Sequence, residues 1–131
     1  MGVIGYCSGG RQSFLAGCRL PLDAVVDCYG AFVTGAPPEG FPLQVEPIGH
    51  LTPGLRAPLL GLFGGTDQYP SSAAVAELEQ LLLENGKEHE LRTHPEAGHG
   101  FFAVDRPSYH QAAAVEGWAH VLDFYGRHLA V

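Results

Sequence analysis

A cysteine between glycines, an aspartate after an apolar run and a histidine between glycines follow one another along this chain: Gly5-Tyr6-Cys7-Ser8-Gly9-Gly10, then Asp67, then Gly98-His99-Gly100. Together these side chains can carry out nucleophilic acyl transfer. A thiol becomes a good nucleophile when an imidazole takes its proton, and a carboxylate holds that imidazole in the required tautomer. Val3-Ile4 before the sextet and Arg11 to Ala16 after it read as a strand and a short helix, so Cys7 is expected on the sharp turn between them. Glycines two before and two after Cys7 permit such a turn and let the helix pack closely. The backbone N–H of Ser8 is the expected oxyanion donor.

Each of the three residues also has a plainer use. A cysteine flanked by glycines can be a small buried residue, and an aspartate after a strand is a common turn or helix cap. With seven histidines in the chain, one chance match comes cheaply. Their joint spacing is what favours chemistry. Ser8 is the alternative nucleophile, but a Gly-x-Ser-x-Gly elbow centred on it needs glycine where Tyr6 stands. His50, His89, His94, His110, His120 and His128 are read as surface residues. No metal is expected, since His94, His99 and Asp105 fit no recognised ligand spacing.

The elements that must position these groups alternate between strand and helix. Val3 to Tyr6 forms the first strand and Gln12 to Gly17 a helix. Ala24 to Tyr29 is the second strand, closed by Gly30. Thr34 to Pro58, rich in Pro and Gly, is a loop over the top of the sheet with one helical turn. Pro58 to Gly64 is a continuous apolar strand of the kind buried in a parallel sheet, and Asp67 leaves its carboxyl end. Ser71 or Ser72 caps a helix in which Val75, Leu78 and Leu82 recur at helical spacing, and Asn85-Gly86 stops it. His89 to His94 is the fourth strand. A long helix from Tyr109 to about His128 is expected to turn Ala112, Val115, Trp118, Val121 and Leu122 inward. The fold class is therefore α/β, with about four mostly parallel strands flanked by helices in a single domain over residues 1–131.

At 131 residues the chain buries roughly two thirds of its unfolded surface, enough for one core. A net charge of −7 with seven scattered Lys and Arg excludes nucleic acid and anionic membranes as natural partners. No apolar run reaches the roughly 18 residues of a membrane helix, and no basic stretch opens a signal peptide, so a cytoplasmic protein is expected. Cys7, Cys18 and Cys28 are odd in number and form no Cys-x-x-Cys pair, which points to reduced thiols.

Four blocks in order resemble the dienelactone hydrolase family, cysteine-dependent members of the α/β-hydrolase fold related to carboxymethylenebutenolidase. They are Gly5 to Arg11, Asp27 to Gly30, Ala57 to Gly64 with Asp67, and Pro95 to Phe101. The resemblance implies that Cys7 attacks an ester or lactone carbonyl, that His99 is the general base and that Asp67 orients it. No cofactor is implied. Tyr29, Phe101 and Phe102 resemble pocket walls, and Arg106 a substrate clamp. The family's amino-terminal strands have no counterpart here, nor do its second oxyanion donor, a glutamate that partners the resting cysteine and one arginine. The chain therefore reads as the carboxyl-terminal portion of the fold, and Met1 as an internal methionine, a misplaced start or the start of a piece that pairs with a separate amino-terminal segment. The strand before Cys7 would then present an open edge suited to self-pairing or to a partner chain.

Overall fold

The computed structural model describes residues 1–129. In chain order the elements are β1 (Gly2–Tyr6), α1 (Ser8–Arg19), β2 (Ala24–Cys28), a 3-10 turn (Gly49–Gly54), β3 (Leu59–Gly64), α2 (Ser72–Glu84), β4 (His89–His94) and α3 (Gln111–His128). All four strands are parallel and lie in sequence order, β1-β2-β3-β4. A parallel neighbour cannot be reached by a tight hairpin, so a helix or long loop joins each strand to the next.

Every residue of β2 and β3 is buried. Apolar runs tolerate this because both sheet faces are covered. Since successive strand side chains point to opposite faces, the core divides in two. Val25, Leu59 and Phe63 pack with Phe14 of α1 and with Leu78 and Leu82 of α2. Val26, Leu60 and Leu62 pack with Val121 and Phe124 of α3. Ser71 caps α2 by accepting from the Ala74 N–H at 3.2 Å. Asn85 ends the helix, and Gly86 takes the left-handed φ of 64° that reverses the chain.

Three sequence expectations shift. First, α1 begins at Ser8 rather than Gln12 and runs on to Arg19, so the helix starts at once after Cys7. Second, α3 is rotated by about one residue: it buries Ala113, Ala114, Gly117, Val121 and Phe124, whereas Ala112, Val115, Trp118 and Leu122 face outward. Small residues lie inward because the helix packs closely on Phe102, whose ring would meet a side chain at Gly117 within 2.5 Å. Third, not all the remaining histidines are on the surface. The side chains of His89, His94 and His128 are only 12%, 22% and 18% exposed. Of the residues between β2 and β3, Gly49–Gly54 form the expected helical turn.

Among the described residues, β1 pairs with β2 on one side and has no strand on the other. No helix is long and apolar enough to cross a membrane among them.

Candidate active site

Cys7 sits at the carboxyl end of β1 with φ 60° and ψ −123°, a conformation that strains any non-glycine residue. It persists because its surroundings hold it from both sides. The Cys7 N–H donates to Cys28 O at 3.0 Å, and Cys7 O accepts from Gly10 N–H at 2.9 Å as α1 starts. The turn is too tight for side chains at two glycines. A Cβ on Gly5 would lie 1.9 Å from Gly9 O, and one on Gly10 would lie 2.4 Å from Asp27 Oδ1 and 2.7 Å from Cys28 O. Gly9, by contrast, has open space around it, so the close packing expected two residues after Cys7 falls instead on Gly10. The Ser8 N–H, first of the helix, has no acceptor among the described residues and is available to a ligand above Cys7.

Asp67 and His99 come from neighbouring turns that are knitted together. The Gly65 N–H donates to His94 O at 2.7 Å, and the Thr66 N–H and hydroxyl both donate to Ala97 O at 3.0 Å. These bonds bring the turn after β3 against the loop after β4. Asp67, with its side chain only 3% exposed, accepts from the Tyr69 N–H through Oδ1 at 2.9 Å and meets His99 Nδ1 through Oδ2 at 2.8 Å. An ionised carboxylate only accepts, so Nδ1 carries the proton and Nε2 is left as an acceptor. That Nε2 lies 2.5 Å from Cys7 Sγ. The edge of the ring packs on Tyr29 with centroids 5.1 Å apart. Thiol, imidazole and carboxylate thus form one continuous line at the carboxyl edge of the sheet, the edge where ligands bind in open α/β folds.

A cavity of about 510 Å³ opens on Cys7 and His99. Its walls come chiefly from Arg11, Phe32, Phe41, Leu43 and Tyr69. Tyr29, Phe101, Phe102 and Arg106, expected as substrate contacts, lie outside that lining. Tyr29 and Phe101 are buried and pack on each other at 5.2 Å, Phe102 packs on Trp118 at 5.3 Å, and Arg106 is exposed. Sequence reading missed Phe32, Phe41 and Tyr69 because they sit in Pro- and Gly-rich loops without period. Of the three, only Phe41 falls in the Thr34 to Pro58 loop expected over the sheet top, and its aromatic type was the one signal there.

The other two thiols are unlike Cys7, which is exposed. Burial pushes the Cys18 thiol up to about 11 and the Cys28 thiol higher still. Among the described residues, no group of three or more His, Cys, Asp or Glu could hold a metal ion.

The match to known proteins spans nearly the whole chain. The Dienelactone hydrolase family model covers residues 1–129. The chain is 38% identical over 124 residues to the Escherichia coli (strain K12) protein named "Putative carboxymethylenebutenolidase", covering 94% of this chain and 44% of that protein. It is 33% identical over 132 residues to the carboxymethylenebutenolidase of Rhodococcus opacus, covering 99% and 51%. The chain therefore spans about half the length of the relatives it matches. The crystal structure titled a putative dienelactone hydrolase from Klebsiella pneumoniae superposes with a TM-score of 0.85 at 31% identity, over 97% of this chain and 52% of that one. An acylaminoacyl peptidase of Pyrococcus horikoshii, 18% identical with a TM-score of 0.75 over 98% of this chain and 24% of its own, shares the fold alone. Four parallel strands flanked by helices and a family match over residues 1–129 lead to one conclusion: the chain belongs to the dienelactone hydrolase family, with its α/β-hydrolase fold.

Proposed function

We propose that this chain carries the catalytic residues of a hydrolase that opens an ester or lactone through a Cys7-His99-Asp67 triad. One observation carries the reading: the unbroken line from Cys7 Sγ to His99 Nε2 and from His99 Nδ1 to Asp67 Oδ2. The names of the relatives, carboxymethylenebutenolidase among them, support the reaction class. His99 takes the thiol proton as Cys7 Sγ bonds to the carbonyl carbon, and the oxyanion accepts from the Ser8 N–H. Collapse breaks the C–O bond and expels the alkoxide, which receives the proton from His99. Water, deprotonated by the same imidazole, then attacks the thioester, releasing the acid and restoring the thiol. No step requires a cofactor. The three free thiols and the small-molecule substrate suit a cytoplasmic enzyme.

Iodoacetamide at neutral pH is expected to label Cys7 more than about a hundredfold faster than Cys18 or Cys28, because the thiolate is the nucleophile and the latter two are buried with raised thiols. Peptide mass mapping against time reads the three rates. Labelling should remove p-nitrophenyl acetate hydrolysis in step with loss of the Cys7 thiol. Activity that survives full Cys7 alkylation overturns the proposal.

The open side of β1 favours a second reading, in which the chain is non-catalytic or weakly active and acts by pairing with a strand of another polypeptide, either a second copy or a separate amino-terminal segment. Sedimentation velocity separates the cases. Self-association that rises with concentration supports the second copy, and a monomer at all concentrations removes it.

A further inference from the structure

The cavity beside Cys7 is walled in a way the triad does not require. Phe32, Phe41 and Tyr69 come from three separate places in the chain and meet as a closed group of rings. Phe32 meets Phe41 at 5.4 Å with planes at 75°, Phe41 meets Tyr69 at 5.3 Å and 66°, and Phe32 meets Tyr69 at 5.7 Å and 39°. The two contacts made by Phe41 are edge-to-face, an arrangement that directs the positive edge of one ring at the negative face of another.

The group is held rigidly. Phe32 has a left-handed backbone, with φ 63°, and is only 8% exposed. Such a conformation persists where neighbours over-determine it, and here the neighbour is Arg11. Its Nε donates to Phe32 O at 3.3 Å while its Nη2 donates to Glu46 O at 2.6 Å, so one guanidinium clasps both ends of the segment that carries Phe41. Gln44 closes the segment on itself by donating to Phe41 O at 2.8 Å. With two of its donors on backbone carbonyls, Arg11 acts here as a fastener of the loop.

From this construction, and resting on the hydrolytic reading above, we propose that the cavity is a subsite for a planar arene, so that the site prefers esters bearing an aryl group within reach of the scissile carbonyl. A volume of about 510 Å³ leaves room for a ring and its ester. A flexible aliphatic wall would accept any apolar group of the right size. Three preoriented rings instead favour a partner with a quadrupole of its own.

The test compares methyl phenylacetate with methyl cyclohexylacetate, which has the same carbon skeleton but no π-system, and places the ring on the alcohol side with benzyl acetate against cyclohexylmethyl acetate. Hydrolysis is followed by titration of the released acid. The aryl ester of at least one pair is expected to show kcat/KM about fivefold or more above its saturated partner, and the pair that does so assigns the ring to the acyl or the alcohol side. Phe41→Leu keeps apolar bulk but removes one ring, and should bring that ratio close to one. A parent ratio near one in both pairs overturns the proposal, as does a Phe41→Leu ratio equal to the parent's. Binding separates this inference from the hydrolytic reading. If the chain hydrolyses none of the four esters, phenylacetamide perturbing the amide NMR signals of Phe32, Phe41 and Tyr69 at lower concentration than cyclohexylacetamide supports the arene subsite while the hydrolytic reading fails. Equal effects from the two amides overturn both.

Discussion

Cys7→Ala is expected to lower ester hydrolysis by about 10⁴-fold. Removing a nucleophile that begins the reaction eliminates the covalent route, and only the oxyanion donor and substrate binding remain to help water. The remaining members cannot compensate. His99 keeps its bond to Asp67 at 2.8 Å, but the nearest atom it could activate is gone, so the loss should match that of a double variant lacking His99 as well. The substitution suits the test because alanine and cysteine tolerate the φ of 60° at this position about equally, and the side chain is exposed, so folding should hardly change. Initial rates on p-nitrophenyl acetate, with circular dichroism to confirm the fold, give the answer. A variant within tenfold of the parent would exclude Cys7 as the nucleophile and return attention to Ser8.

The second large effect lies beneath the same elbow. Asp27 is fully buried on β2, its Oδ1 accepts from the Gly30 N–H at 2.9 Å, and its Oδ2 has no hydrogen-bond partner. Burial raises its carboxyl to about 7, offset only in part by the Gly30 bond. A carboxyl paired with a cation loses stability on acidification, and Asp27 does the reverse. The folded state binds the proton more tightly than the unfolded chain, whose carboxyl titrates near 3.8. Stability from this group is therefore fully present below about pH 4, declines across pH 4 to 7, and stays low above pH 7. With 1.36 kcal/mol per unit, the total decline is on the order of 4 kcal/mol. Asp27→Asn, which carries no charge to bury, should flatten that decline and be the more stable protein at pH 8 by roughly 2 kcal/mol or more. Urea unfolding of both proteins from pH 4 to 8 reads the difference. Equal stabilities at pH 8 would mean that the carboxylate finds solvent or a cation.

Much of the fold was legible because local rules sufficed. The apolar run Leu59–Gly64 has only one comfortable setting, a strand covered on both faces, and Ser71 with Asn85-Gly86 brackets α2 by hydrogen-bonding chemistry within a few residues. Where two environments compete, sequence reading slipped. Trp118, Val115 and Leu122 formed the more hydrophobic stripe of α3, yet the helix turned Ala113, Ala114 and Gly117 inward, because Phe102 already fills the space beneath it. Volume at a contact, set by a residue far along the chain, outweighed hydrophobicity. Gly9 and Gly10 exchanged roles for the same reason, since only Gly10 lies against Asp27 and Cys28.

The types and order of Cys7, Asp67 and His99, and the strand or turn that each ends, follow from residues within a few positions of each. Their contact does not. It depends on β3 lying beside β4 in register and on Thr66 bonding to Ala97, 31 residues away, which brings two turns within reach of an elbow on a third strand. The cavity owes still more to the tertiary structure. Phe32, Phe41 and Tyr69 carry no periodic signal, and what makes them a wall is the guanidinium of Arg11, reaching back from α1 to a carbonyl 35 residues on. Local propensity is written in neighbouring residues, whereas the shape of a site is a sum of long-range contacts that no short stretch of chain contains.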